Sequence, residues 1–240
     1  GELNSFAQPG DRHVVTRNVD GLAGAVWAQV GTGTPTLLGV DGLPDAEAPD
    51  VDLPLIQFVE GLVDDLFRNG FVCVQAKYDD SGTPIGEVVE ARPGDEDGDA
   101  LVVILATRNQ AVDDATELCE RLREAHDLSE RDLTTSTVDS WQGQTNRITV
   151  AIHPLTGASR LDEFNSAFGR LAVTCTRATH GLLIVSRPGL DTLLNEAPAR
   201  AGTPFGEPGN RHLPRQTHQR ILATFARGTV TITAPDQGDN

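Results

Sequence analysis

Four short strand-forming runs constrain the fold of this chain more than any other feature. Two are continuously apolar, at 101–106 and 182–185, and a third, 148–152, is apolar except for Thr149; a β-prone run at 134–138 lies between 101–106 and 148–152. Continuous apolar runs are typical of strands covered on both faces, whereas half-exposed strands alternate. Because helical spacing separates several of the runs, we predict an α/β fold with one mostly parallel sheet flanked by helices.

A helix is predicted over 162–179, before the last of these runs. Its apolar residues recur at helical spacing, and Gly181 follows it as a terminating glycine. Arg170 and Arg177 lie seven residues apart, about two turns, so they share the face opposite the apolar one. The sequence therefore predicts two guanidinium groups that point away from the core.

The run at 134–138 ends in a polar turn. The candidate residues of this turn are Thr137, Ser140, Trp141, Gln142 and Gly143. Hydroxyl and backbone N–H groups in a turn suit phosphate oxygens, and an exposed indole offers a face on which a base can stack. We predict nucleic-acid contacts for Thr137, Ser140 and Trp141, with packing of Trp141 against the domain as the alternative.

A second candidate turn, 107–110, joins the run at 101–106 to a predicted helix. Ligands of open parallel sheets collect at the carboxyl ends of the strands, so this turn is a candidate site on topology alone. Gln110 is its candidate for a nucleotide contact. It is equally well explained as a polar residue at a helix N-terminus.

Three segments resemble the late motifs of superfamily 1 helicases of the Upf-like branch. VDSWQG is similar to VDSFQG (motif V), and RLAVTCTRATHGLLIV is similar to RLNVALTRAKHGLIIV (motif VI); VVILATRNQAV also resembles GVITPYRAQV (motif IV), without its Pro-Tyr. The resemblance covers roughly residues 101–194. It implies a RecA-like, P-loop NTPase-type domain that is the second motor domain of an ATP-dependent helicase or translocase.

The resemblance also implies roles for single residues. Arg177 would be the arginine finger and Arg170 a second phosphate-binding or structural group, while Gln142 and Gly143 would couple nucleotide to nucleic acid. VTRNVD matches the family's QYRMHP-like segment in one residue, Arg17, which would approach the terminal phosphate or else be a solvated helix arginine. The family has a sugar-binding Glu where this chain has Thr145.

The chain contains no G-x-x-x-x-G-K-[ST] phosphate loop. The resemblance therefore implies that ATP and Mg²⁺ are held mainly by an N-terminal RecA-like domain, and that single-stranded DNA or RNA is the other partner. Since the chain starts with Gly and has no Met, we expect an excised or processed piece of a longer protein. Because the phosphate loop is absent, we expect that this piece does not hydrolyse ATP by itself. The alternative is a non-catalytic RecA-like module for protein interaction or regulation.

Composition limits these hypotheses. A net charge of −16 argues against nucleic acid as a partner, because phosphate is repelled. The cysteines are predicted to be buried thiols, the histidines show no ligand spacing, and the acidic stretch 95–99 is predicted to be a solvated loop, so no metal site is proposed. No apolar run is long enough for a membrane span, and a soluble, cytoplasmic protein is expected.

The predicted domain boundary follows residue 195. Residues 1–195 are expected to form the RecA-like domain, with a helix over 12–30. Residues 196–240 are expected to be a Pro/Gly-rich linker followed by an extension with a last helix and strand.

Overall fold

The computed structural model describes residues 10–17, 20–48, 51–96, 98–107, 109–158, 168–196 and 214–232. Within these ranges the chain forms fifteen elements. In chain order they are β1 (Arg12–Thr16), α1 (Gly21–Gly31), β2 (Thr36–Asp41), α2 (Leu53–Asn69), β3 (Phe71–Tyr78), β4 (Pro84–Ala91), β5 (Ala100–Ala106), α3 (Asn109–His126), β6 (Leu133–Thr137), β7 (Asn146–Ile152), α4 (Phe168–Cys175), β8 (Ala178–Ser186), α5 (Leu190–Glu196), α6 (Pro214–Leu222) and β9 (Ala226–Thr231).

The main sheet has six strands in the order β6-β5-β7-β8-β2-β9, and every neighbouring pair is parallel. The four runs that predicted a parallel sheet are its strands β5, β6, β7 and β8, so the predicted α/β class is confirmed. A parallel sheet flanked by helices is the Rossmann-type architecture to which RecA-like domains belong.

Two hydrophobic cores cover the two faces of this sheet. Alternate residues of β5 enter different cores, Val102 and Ile104 on one face and Val103 and Leu105 on the other. The first core is closed by α1, α2 and α3, and the second by α4, α5 and α6. Burial on both faces explains why the strand sequences are continuously apolar.

A second, antiparallel sheet has the order β1-β3-β4. It corrects the prediction of a helix over 12–30, because β1 occupies the first part of that range and α1 begins only at Gly21. Val14 is buried opposite Cys73 of β3, so pairing with a distant strand outweighs the local helical spacing. Seven of the eight residues of β4 are exposed.

The last strand belongs to the main sheet. β9 pairs in parallel with β2 from Thr36↔Ala226 to Asp41↔Thr231, and α6 packs beside α4 and α5. The predicted boundary at residue 195 therefore does not separate a C-terminal extension from the α/β unit. Residues 197–213 lie outside the described part of the chain.

The helix predicted over 162–179 is observed as α4, Phe168–Cys175, and 159–167 lie outside the described residues. Arg177 follows α4 in the turn that leads into β8. Cys73 and Cys119 are buried thiols as predicted, whereas Cys175 is half-buried. Among the residues that the structure describes, no helix is both long and apolar enough to cross a membrane.

Candidate functional site

The segment that contains VDSWQG runs across one face of the sheet, from the carboxyl ends of the strands to their amino ends. Thr137 pairs with Ala106 at the carboxyl ends of β6 and β5, and Asn146 pairs with Ala100 at the amino ends of β7 and β5. The residues between them, 138–145, are called the crossing segment below. Because β5 lies between β6 and β7, this segment passes over β5 on the face that α4 covers.

Two arginines tie the crossing segment to α4 and the turn after it. Near the carboxyl edge, Arg170 donates from Nε and Nη2 to Asp139 Oδ2, at 3.2 and 3.1 Å. Near the amino edge, Arg177 donates from Nη1 to the carbonyl oxygen of Gln144 at 2.9 Å. Arg170 lies in α4 but Arg177 lies in the turn after it, so the predicted shared helix face is not observed. Both side chains contact the crossing segment and do not point away from the domain.

The two arginines are nevertheless not brought to one point. Arg170 contacts Asp139 near the start of the crossing segment, and Arg177 contacts Gln144 near its end. The two guanidinium groups therefore have different partners in this conformation.

Arg177 is held by three hydrogen bonds. Nε donates to Val173 O at 3.2 Å, Nη1 to Gln144 O, and Nη2 to Thr176 Oγ1 at 2.8 Å. A guanidinium has five N–H groups, so one remains on each Nη atom. The Arg177 carbonyl also accepts from the Asn146 N–H at 3.1 Å, which places the residue at the amino edge of the sheet.

Thr137 and Ser140 close the start of the crossing segment. The Ser140 N–H donates to Thr137 Oγ1 at 2.9 Å, and Thr137 Oγ1 donates to Ser140 Oγ at 2.8 Å. The pair forms a local hydroxyl-closed turn at the carboxyl end of β6. Ser140 is exposed at this edge.

Trp141 lies half-buried against the second core. Its indole N–H donates to Asn146 Oδ1 at 3.1 Å. One part of the indole therefore packs on the domain, as the alternative interpretation expected, while the residue keeps some exposed surface.

Asn146 joins the elements of this site and was not recognised from the sequence. Its side chain is fully buried, and Nδ2 donates to Ile148 O at 2.7 Å and to Thr149 Oγ1 at 2.9 Å. Its carbonyl accepts from Thr179 Oγ1 at 3.0 Å. The available signal was an amide at the start of an otherwise apolar run, since a buried amide requires hydrogen-bond partners.

Gln142 and Gly143 form the exposed middle of the crossing segment. Gly143 has φ +87°, and a Cβ there would meet nothing within 4 Å. The glycine is therefore required by backbone conformation and not by crowding. These two residues are accessible to a ligand without rearrangement.

The remaining two candidates do not contact the crossing segment in the described part of the structure. Arg17 follows β1, is exposed, and donates its backbone N–H to Gly70 O at 3.3 Å. Gln110 is the second residue of α3, and its side chain lies outside the described part of the chain.

A cleft of about 490 Å³ lies at the carboxyl ends of β5 and β7. The chain leaves β5 toward β6 on one side and returns to β7 on the other, so these ends form the topological switch point of the sheet, where ligands of such folds collect. Thr107 and Thr156 line the cleft. Arg187 also lines it but is held by Asp52, with Nε–Oδ2 and Nη2–Oδ1 distances of 2.7 and 2.8 Å.

Burial controls ionisation near this cleft. Desolvation, and secondarily the neighbouring His218, lowers the pKa of His153 to about 3, so this imidazole is neutral. His153 Nδ1 accepts from the Leu155 N–H at 3.0 Å. The hydrogen bonds from Arg187 to Asp52 raise the pKa of that guanidinium further. Within the described ranges, no group of three or more His, Cys, Asp or Glu side chains could hold a metal ion.

A scan against protein-family models finds no match for this chain, and a search of curated proteins finds none. The resemblance to helicases therefore rests on the motifs of the sequence.

Proposed function

We propose that this chain is the second RecA-like motor domain of an ATP-dependent nucleic-acid helicase or translocase. One observation carries the proposal. The crossing segment connects the carboxyl ends of the strands with their amino ends, and its two ends are hydrogen-bonded by Arg170 of α4 and by Arg177, which follows α4. A motor must transmit a change at the nucleotide to the strand that it moves. A short, tethered segment between two edges provides such a path.

In this proposal Arg177 faces the nucleotide. Its three hydrogen bonds fix the guanidinium at the amino edge and leave two N–H groups for phosphate oxygens. Fixed donors stabilise developing charge without reorganisation, which is what an arginine finger requires. Gln142 and Gly143, in the exposed middle of the segment, respond to the nucleotide and pass the change on.

The carboxyl-edge end of the segment faces the strand. Thr137, Ser140 and the exposed part of Trp141 offer hydroxyl groups and an aromatic face for a sugar-phosphate chain and a base. Since the net charge is −16, binding by this chain alone is weak and falls with rising salt.

The nucleotide itself requires residues that this chain lacks. The sequence has no phosphate loop, and the described residues include no group of three or more His, Cys, Asp or Glu side chains that could hold a metal ion. ATP and Mg²⁺ are held mainly by an N-terminal RecA-like domain of the same cytoplasmic protein, with single-stranded DNA or RNA as the other partner. Gln110 begins α3 at the carboxyl ends of the strands, whereas Arg177 lies at their amino ends, so in this proposal the two do not share a nucleotide. Arg17 remains a proposed nucleotide contact, and Arg170 takes the structural role.

A non-catalytic interaction module is the second candidate, and β4 favours it. This edge strand exposes Ile85, Val88 and Val89 at 50, 54 and 45% of their surface. Exposed apolar edge strands readily pair with other chains. In this alternative the bonds of Arg170 and Arg177 only fix the shape of the domain.

The motor domain and the interaction module predict different responses of ATP hydrolysis to nucleic acid. If this chain is a motor domain, a polypeptide that contains both a phosphate-loop domain and this chain should hydrolyse ATP faster when single-stranded oligonucleotide is added. Gln142→Ala should reduce that stimulation while basal hydrolysis stays unchanged. Gln57→Ala, at an exposed position on α2, is the matched control. Full stimulation in the Gln142 variant, or none in the parent, favours the interaction module.

A further inference from the structure

Another cleft, of about 290 Å³, lies toward the carboxyl ends of β8 and β2, beside the start of α5. These two strands are parallel neighbours, but the chain leaves β2 for α2, which closes the first core, and leaves β8 for α5, which closes the second. Neighbouring strands whose connections lie on opposite faces form a switch point, and ligands of parallel sheets bind outside the carboxyl ends of such strands. The topology therefore predicts a ligand site here, as it does at β5 and β7.

Gly39 of β2 leaves the floor of this cleft open. It pairs in register with Ser186 of β8 and with Thr229 of β9, and all three residues line the cleft. A Cβ at Gly39 would meet Thr229 Oγ1 at 3.6 Å, an ordinary contact distance, and Gly39 is not among the glycines with positive φ. Neither crowding nor backbone conformation therefore requires glycine at this position. Its effect is to give a ligand access to the strand backbone between two hydroxyl groups.

An exposed ion pair lies at the rim of the cleft. Arg227 Nη1 donates to Asp191 Oδ1 and Oδ2, at 2.9 and 2.7 Å, and both residues line the cleft. The two side chains are 41 and 64% exposed. Water and salt screen such a pair, so it contributes little stability. A ligand that offers each partner a new opposite charge opens the pair at small cost.

The lining also has an apolar wall. Leu37, Pro188 and Leu190 contribute to it, and both leucines belong to the second core. The cleft thus combines apolar side chains with two hydroxyl groups and two opposite charges. Its volume is at the lower end of the range for small-molecule sites, which favours a ligand smaller than a nucleotide.

An α-amino acid matches this combination. Its carboxylate and ammonium groups share one carbon, which also carries the side chain. A nucleobase is of similar size, but it carries no formal charge that could replace either partner of the ion pair. Since a zwitterion has no net charge, the −16 of the chain does not repel it.

We propose that this cleft binds a free α-amino acid. The ligand's carboxylate accepts from Arg227, whose planar fork matches two oxygens, and its ammonium group donates to Asp191. The ligand's side chain packs against Leu37 and Leu190. The site involves neither Arg177 nor the crossing segment, so it is independent of the proposed motor role.

Equilibrium dialysis against an equimolar mixture of the standard amino acids tests the proposal, with the retained compounds identified by mass spectrometry. The chain should retain one amino acid or a few. Gly39→Val should lower the retention at least about 10-fold, because the added methyl groups fill the floor of the cleft, and valine is favoured in strands. Arg227→Gln should weaken binding about 10-fold or more, since a charge-assisted pair of hydrogen bonds is lost. Arg121→Gln, at an exposed arginine of α3 that pairs with Glu60, is the matched control and should change nothing.

The N-acetyl derivative of a retained amino acid tests the role of Asp191. It lacks the ammonium charge and should bind about 10-fold more weakly to the parent chain, but not to Asp191→Asn. Asp191 and Arg227 are exposed, so their variants keep the test decisive if Gly39→Val unfolds the chain. No retention of any amino acid, or equal retention by the parent and a folded Arg227→Gln protein, overturns the proposal. Retention of a nucleobase instead, in a parallel dialysis against adenine, guanine, cytosine and uracil, also overturns it.

Discussion

Asn146 and Arg147 are neighbours in sequence, but their environments differ in kind. On the α4 face, the buried amide of Asn146 has partners for both of its polar atoms. On the other face, a mostly buried guanidinium has a neutral acceptor and one distant carboxylate. Satisfied buried polar groups rigidify a fold, whereas a buried charge without full compensation is costly unless a ligand completes it. The comparison separates a buried polar group whose hydrogen bonds fix the local structure, Asn146, from a buried charged group that is only partly compensated, Arg147.

Arg177 gives the strongest test of whether a side chain fixed by hydrogen bonds also binds a ligand. Its three hydrogen bonds leave two N–H groups. If Arg177 is an arginine finger, Arg177→Lys in a polypeptide that includes the phosphate-loop domain should lower kcat by on the order of 10³ or more. Lysine keeps the charge but not the planar fork. The measurement is kcat at saturating ATP, with Arg121→Lys as control. A rate within a few-fold of wild type at equal thermal stability would assign Arg177 to a structural role.

Asn146→Ala should cause the largest loss of stability on the satisfied face. It leaves the Trp141 N–H, the Thr149 hydroxyl and the Ile148 carbonyl without their partner, and each buried unpaired group costs about 1–3 kcal/mol. We expect the free energy of unfolding to fall by about 3 kcal/mol in urea titrations. Thr145→Ala, at the exposed preceding position, should change it little. Equal stability of the two variants would contradict the assignment of Asn146 as the centre of this network.

Trp141 tests whether one side chain serves both functions. If its exposed part stacks on a base, Trp141→Ala should weaken single-strand binding by about 1–3 kcal/mol. Trp141→Phe should retain most of that binding, because it keeps an aromatic face and loses only the N–H. Fluorescence anisotropy with a labelled oligonucleotide measures both variants. Unchanged binding in a folded Trp141→Ala protein would leave only the packing role.

Asp132, beside Arg131, gives a smaller effect that depends on pH. Burial tends to raise the pKa of this carboxyl, but the hydrogen bonds from Ser129 and Gly94 outweigh burial and lower it. The stability that Asp132 contributes is therefore present above its unfolded pKa, about 4, and lost as the pH falls through the lower folded value. Asp132→Asn should flatten the acid limb of stability against pH. Asp80→Asn, at an exposed position, should leave that limb unchanged.

The sequence was sufficient for the main sheet because its strands are buried on both faces and are therefore continuously apolar. It was insufficient for β1, whose strand pairing depends on a residue as distant as Cys73, and for β4, which is almost wholly exposed and carries no burial pattern. Local spacing cannot reveal such long-range pairing.

For the candidate site, the motif residues were identified but their relative positions were not. Seven-residue spacing predicted that Arg170 and Arg177 share one helix face, but α4 ends before Arg177, and only the path of the crossing segment shows that they contact its opposite ends. Asn146 and Arg147 were both missed. Their directions depend on a β-bulge, and the apolar pattern of β7 does not predict it.

The pairing of β9 with β2 has a consequence for any shortened version of this protein. A chain cut after α5 would lose β9 and leave the backbone N–H and C=O groups of β2 unpaired along a strand that contains Leu37, Leu38 and Val40. Such an edge is a template for intermolecular pairing. Shortened chains should therefore precipitate or form concentration-dependent oligomers, so that loss of activity on truncation would reflect colloidal instability.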